Sequence, residues 1–116
     1  MPIISLAGVI STGELSVVEQ ILSSWLKKPG ELRARSRMIG AEVQYDDDTW
    51  DVLCYKNDEG PEFFLNVTLQ GTLEQAGASF KTLWHLCKQK GVACQLEYME
   101  QNEDGKGIGE EFSVTG

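Results

Sequence analysis

The chain has 116 residues, 41% of them hydrophobic. That is enough for one ordinary core without metal or disulfide support, because a domain of this size buries roughly two-thirds of the surface its unfolded chain exposes. Ten basic residues stand against 18 acidic ones, a net charge of -8 with a pI near 4.5, and such a field repels phosphate backbones and anionic lipid heads; neither nucleic acid nor a membrane is expected as a partner.

Residues 3 to 10, IISLAGVI, form a continuous apolar run with no helical stripe, the pattern of a central strand covered on both faces. The run lacks a preceding Lys or Arg and is about half the length a bilayer crossing needs. Ser11-Thr12-Gly13-Glu14 then reads as a capping box, the Ser hydroxyl and the Glu carboxylate each meeting a free backbone donor. Leu15, Val18, Ile21, Leu22, Trp25 and Leu26 recur at three- and four-residue spacings, an apolar arc of about 140° on a helix. Lys27, Lys28 and Pro29-Gly30 are expected to close it.

From Ile39 the period changes to two, with Ala41, Val43 and Tyr45 on the same side. Asp46-Asp47-Asp48 supplies turn chemistry, since Asp side chains bond back to nearby amides, and Thr49 to Tyr55 resumes a β-rich pattern. A polar knuckle over residues 56 to 61 separates this strand from one in which Phe63, Leu65, Val67 and Leu69 share a face. The three strands make an antiparallel meander, and the register of residues 50 to 56 leaves open whether Trp50 or Tyr55 is buried.

A second capping box, Thr72-Leu73-Glu74-Gln75, opens a helix with the stripe Leu73, Ala76, Phe80, Leu83, Trp84 and Cys87, closed by Lys88, Lys90 and Gly91. In VACQLEYME, Cys94, Leu96 and Tyr98 alternate with Gln95, Glu97 and Met99, a further amphipathic strand. Residues 101 to 109 are acidic and Gly-rich and read as a mobile loop, with Glu111 to Val114 a short edge strand. The order βαβββαβ, with one apolar stripe per helix and one apolar row per strand, predicts a single α+β domain over residues 1 to 116. Two helices would pack on one face of a mainly antiparallel sheet, in a ferredoxin-like or related two-layer sandwich.

Chemistry-bearing patterns are sparse. His85, Cys87 and Cys94 invite a zinc reading, but residues two apart on a helix point about 200° apart, so His85 faces solvent if Cys87 faces the sheet. No Ser or Cys sits on a strand-to-helix elbow, and the acidic turn lacks the Gly and distal Glu of a calcium loop. DGKGIG at 104 to 109 matches a phosphate loop only in composition. No catalytic residue, cofactor or metal is expected, and the protein reads as non-enzymatic. Cys54, Cys87 and Cys94 are odd in number and lie in apolar rows, the usage of free thiols in a reducing compartment, so a cytoplasmic location is expected.

Charge is the more informative pattern. Lys27, Lys28, Arg33, Arg35 and Arg37 fall within eleven positions, whereas eight acids occupy residues 42 to 62 against Lys56 alone, which predicts an electrically polar molecule. If the meander turns one apolar row to the helices, Phe64 and some of its aromatic neighbours are left outside, bordered by carboxylates. Rings for buried contact and acids for steering make the composition of a surface that recognises a basic protein. Asp47, Asp48, Asp51, Tyr55, Asp58, Glu59 and Phe64 are the expected contact residues. The concrete form of this reading is an immunity protein or inhibitor of a basic partner such as a nuclease toxin, of the bacterial cytoplasmic type. The alternatives are a homodimer formed through the same face, a small-ligand regulatory domain binding an anion or amino acid at the first helix start, an enzyme using the acidic turn with a metal, and a secretion or effector chaperone.

Overall fold

A computed structural model describes residues 3–26, 33–36, 41–102 and 107–114. Among the described residues, seven strands and two helices follow one another as β1 (Ile3–Ile10), α1 (Leu15–Leu26), β2 (Arg33–Ser36), β3 (Ala41–Asp46), β4 (Trp50–Lys56), β5 (Phe63–Gln70), α2 (Leu73–Gln89), β6 (Cys94–Gln101) and β7 (Gly107–Ser113). The strands form one antiparallel sheet in the order β2-β3-β4-β5-β1-β6-β7. The four central strands reproduce the ferredoxin-like arrangement, with β1 between β5 and β6. β2 and β3 extend one edge, and β7 extends the other.

Burial follows the residue pattern closely in β5, where Phe63, Leu65, Val67 and Leu69 are buried and Asn66, Thr68 and Gln70 exposed. Against this row lie Val18, Ile21, Leu22 and Trp25 of α1 and Ala76, Phe80, Leu83 and Cys87 of α2, all in the same core. Trp25 links the two helices: its Nε1–H donates to the Ser79 carbonyl at 2.9 Å, and its ring meets Trp50 edge-on at 5.2 Å. The second capping box forms as its residues predict, Thr72 Oγ1 accepting from Gln75 N and Gln75 Oε1 from Thr72 N, both at 3.1 Å. At the other end of α2, Gly91 takes φ +71, and Val92 N donates back to the Cys87 carbonyl at 2.9 Å.

Several expectations are corrected. β1 is central but covered on one face only: Ile4, Leu6 and Ile10 are buried, and Ala7 is exposed, so the apolar run conceals an alternation of large inward and small outward residues. The hydroxyl at the start of α1 is Thr12's, accepting from Glu14 N at 3.3 Å, in place of the predicted Ser11–Glu14 box; Ser11 N donates instead to Ala93 O beside β6. β2 adds a strand that no hydrophobic period announced. β6 runs to Gln101 and β7 starts at Gly107, so the loop read at 101–109 is shorter at both ends and the edge strand longer than Glu111 to Val114. Lys27, Lys28, Pro29, Gly30, Arg37, Ile39 and residues 103–106 lie outside the described residues.

Gly8 is required by close approach. It points inward between β5 and β6, where an added Cβ would meet the Gln95 carbonyl oxygen at 2.8 Å and Leu96 Cδ2 at 2.6 Å. Any side chain there would push β6 away from β1.

Candidate functional site: the open face of the sheet

Both helices pack on one side of the sheet, and among the described residues no element covers the other. Register sets the outward residues in rows. Tyr55, Phe64, Val9 and Gln95 lie side by side across β4, β5, β1 and β6; the next row holds Leu53, Asn66, Ala7 and Glu97; the one beyond holds Asp51, Thr68, Ser5 and Met99. This resolves the register of β4. Trp50, Val52 and Cys54 turn inward, and Tyr55 turns outward with 40% of its surface exposed. Its ring lies 5.5 Å from that of Phe64 in a tilted pair, the cross-strand contact expected of aromatic residues directly opposite each other.

The acidic turn at 57–62 joins the ends of β4 and β5 beside this ring pair. It is internally satisfied: Asn57 N donates to Glu62 O at 2.8 Å, Asn57 Nδ2 to Glu62 Oε1 at 2.7 Å, and Glu59 N to Asn57 Oδ1 at 3.0 Å. Lys56 Nζ reaches the carbonyls of Asn57 and Gly60, at 3.3 and 3.2 Å. Glu62 and Lys56 therefore hold the turn in shape, and Asp58 and Glu59 stand exposed at its tip.

The other predicted contact residues lie elsewhere. The β3–β4 turn is at the opposite end of the meander, about 20 Å away along the seven residues of β4. There Asp47 is structural: its Oδ1 accepts from Thr49 N and Trp50 N, each at 2.7 Å, and its Oδ2 from the buried Tyr45 hydroxyl. Asp48 is exposed in the same turn. Asp51 shares the open face but lies four residues, about 13 Å, from Tyr55. The structure thus brings Tyr55, Phe64, Asp58 and Glu59 together and leaves Asp47, Asp48 and Asp51 at the far end. In the backbone register of β2 and β3, Arg35 lies across from Glu42 and Arg33 across from Gln44.

Two features were absent from the expected site. Glu97 and Glu111, on β6 and β7, are both exposed with their carboxylates in hydrogen-bonding reach, and Glu111 is pushed above the usual carboxylate range by that bond and by the charge of Glu97. Between the ring pair and Glu97 runs an open groove of about 280 Å³.

No known protein family model matches the chain, and no curated protein does. Among solved structures, a chain in the crystal structure of the Csm3-Csm4 subcomplex in the type III-A CRISPR-Cas interference complex is similar, with 15% identity and a TM-score of 0.44. The similarity covers 97% of this chain and 91% of that one. A likeness of that degree carries nothing about function.

The chemistry of the remaining side chains is quiet. His85 is exposed, edge-on to Trp84 at 5.2 Å, while Cys87 on the same helix is buried. Among the described residues no group of three or more His, Cys, Asp or Glu could hold a metal, and no helix is long and apolar enough to cross a membrane. The bond from Cys87 S–H to Cys94, together with burial, pushes the Cys87 thiol far up, and the same bond draws Cys94 down against its own burial; burial alone pushes Cys54 to about 12. At the first helix start, Thr12 Oγ1 accepts from the Glu14 amide at 3.3 Å, one of the several backbone donors there.

Proposed function

We propose that this protein is a non-enzymatic acidic module that docks a basic protein on the open face of its sheet. Its most concrete form is an immunity protein or inhibitor of a nuclease toxin, whose carboxylates stand where the toxin would otherwise hold phosphates. The three free thiols fit a reducing compartment such as the cytoplasm. The observation that carries the reading is the Tyr55–Phe64 ring pair, beside the acidic tip of the 57–62 turn, on a face that no described element covers. Aromatic anchors supply the buried contact of an interface, and the surrounding carboxylates set its steering and its choice of partner. A second copy fits this face less well than a basic protein, because two copies would oppose their own carboxylates.

The test begins with capture from a lysate of the native cells on the immobilised chain, in parallel with the Tyr55→Ala/Phe64→Ala double variant. The retained protein is then purified and titrated. The expected partner is basic, binds the double variant at least roughly tenfold more weakly, and associates more slowly as salt rises. Equal affinity for the double variant would remove this face from the reading, and a partner insensitive to salt would remove its charge.

A further inference from the structure

Along the middle of the open face the residues of β1 are small. Ser5, Ala7 and Val9 alternate with the buried Ile4, Leu6 and Ile10, while the flanking strands carry longer side chains. Register places Val9 between Phe64 and Gln95, and Ala7 between Asn66 and Glu97. Since adjacent strands lie about 4.8 Å apart, the two flanks are roughly 10 Å from each other, and β1 forms the floor of a trough between them. This is the groove of about 280 Å³. One wall is aromatic, Phe64 backed by Tyr55, and the opposite wall ends in the carboxylate of Glu97 with Glu111 behind it. None of the described residues lining the trough is basic, and nearby Lys56 is bonded to the carbonyls of its own turn.

We infer that this trough is a pocket for one arginine side chain of the docked partner, its guanidinium plane against Phe64 and its N–H edge on Glu97. The inference rests on the docking reading above and names the contact through which it would work. The chemistry selects arginine. An aromatic face attracts a cation through its quadrupole, and a planar guanidinium can stack on a ring while offering two parallel donors to a carboxylate, which a compact, strongly hydrated ammonium cannot do. The β1 floor gives apolar surface to the methylene stem, and the Asn66 and Gln95 amides offer further acceptors at its mouth. A cation here also relieves the repulsion between Glu97 and Glu111.

The experiment uses the full chain and three capped tripeptides, Gly-X-Gly with X as arginine, lysine or citrulline, followed by backbone amide shifts in a ¹H–¹⁵N spectrum. The arginine peptide should bind in the roughly millimolar range of a single side-chain contact. It should move the amides of Val9, Phe64, Gln95 and Glu97, with lysine weaker and neutral citrulline about tenfold weaker. Glu97→Gln, an exposed change that leaves the core untouched, should weaken the arginine peptide about tenfold, while the same charge change on a helix surface, Glu19→Gln, should leave it unchanged. Citrulline binding as tightly as arginine, or shifts scattered over the acidic turns with none in the trough, would overturn the pocket. Loss of the captured partner by the ring double variant but not by Glu97→Gln would leave docking intact and overturn the pocket alone. Arginine binding in the trough, with a partner indifferent to the ring variant, would do the reverse.

Discussion

The two faces of this sheet are built from the same strands, yet one is packed and the other open. On the covered face, Phe63, Leu65 and Val67 meet Phe80, Leu83 and Ile21, and each is almost wholly removed from water. On the open face, Phe64 and Tyr55 meet mainly each other. A residue one position along β5 thus passes from core to surface, because successive side chains point to opposite sides of the strand. Neighbouring phenylalanines 63 and 64 therefore set a ring packed in the core beside one on the proposed docking face, and the contrast can be tested by substitution.

The largest expected effect is on the covered face. Phe80→Ala should cost about 3–5 kcal/mol in urea unfolding, whereas Phe64→Ala should cost about 1 kcal/mol or less, the worth of an exposed cross-strand ring contact. Similar costs at the two positions would mean that the open face is packed against something. Alkaline pH should act on the covered face next. Cys54 is neutral in the folded chain up to a pKa of about 12, while its unfolded value is 9.0, so its contribution is fully present below pH 9. Above that, stability should fall by about 1.4 kcal/mol for each pH unit towards 12, and Cys54→Ala should remove that part of the slope. Gly8→Ala should cost about 1–3 kcal/mol, because the new methyl meets the Gln95 carbonyl; a neutral outcome by thermal melting would show that β6 can shift away. Asp47→Ala, which removes three hydrogen bonds that fold the β3–β4 turn, should cost about 1–2 kcal/mol while leaving partner affinity unchanged. A loss of affinity equal to that of the ring variants would restore this turn to the contact surface. The smallest effect is chemical: native-state alkylation should mark Cys94 at least about tenfold faster than Cys54 or Cys87, which mass spectrometry of the labelled peptides reads directly.

Much of the covered face could be read from the residues, because its signals are local. Phe63 to Gln70 alternate without interruption, and Thr72 and Gln75 satisfy each other within one turn of α2. The misreadings fall where local pattern and tertiary pairing disagree. Arg33–Ser36 has no apolar period, and pairing with β3 makes it a strand. Between Tyr98 and Glu100 the β6–β7 pairing shifts register, with Gly109 at φ +78, so the alternation that would have marked β7 is broken. Ser11 and Thr12 were equivalent as hydroxyls, and the backbone bond from Ser11 to Ala93 leaves the cap to Thr12.

The candidate site was legible only in part, for the same reason. Phe64 could be placed outside from its own strand, and the acidic turn from its composition. Tyr55 waited on the register of β4, which follows from the inward Val52 and Cys54. The trough had no local signature at all. It exists because β1 enters between β5 and β6, strands that start 60 and more residues away in the chain, and because Ala7 and Val9 are short where their new neighbours are long.

Hydroxyl-radical footprinting of the chain, alone and in complex with its captured partner, measures most directly whether the open face is the docking surface. Tyr55, Phe64 and Met99 should be oxidised in the free protein and protected at least severalfold in the complex, while the buried Phe80 and Tyr45 stay unmarked in both. Unchanged oxidation of Tyr55 and Phe64 in the complex would contradict docking on this face.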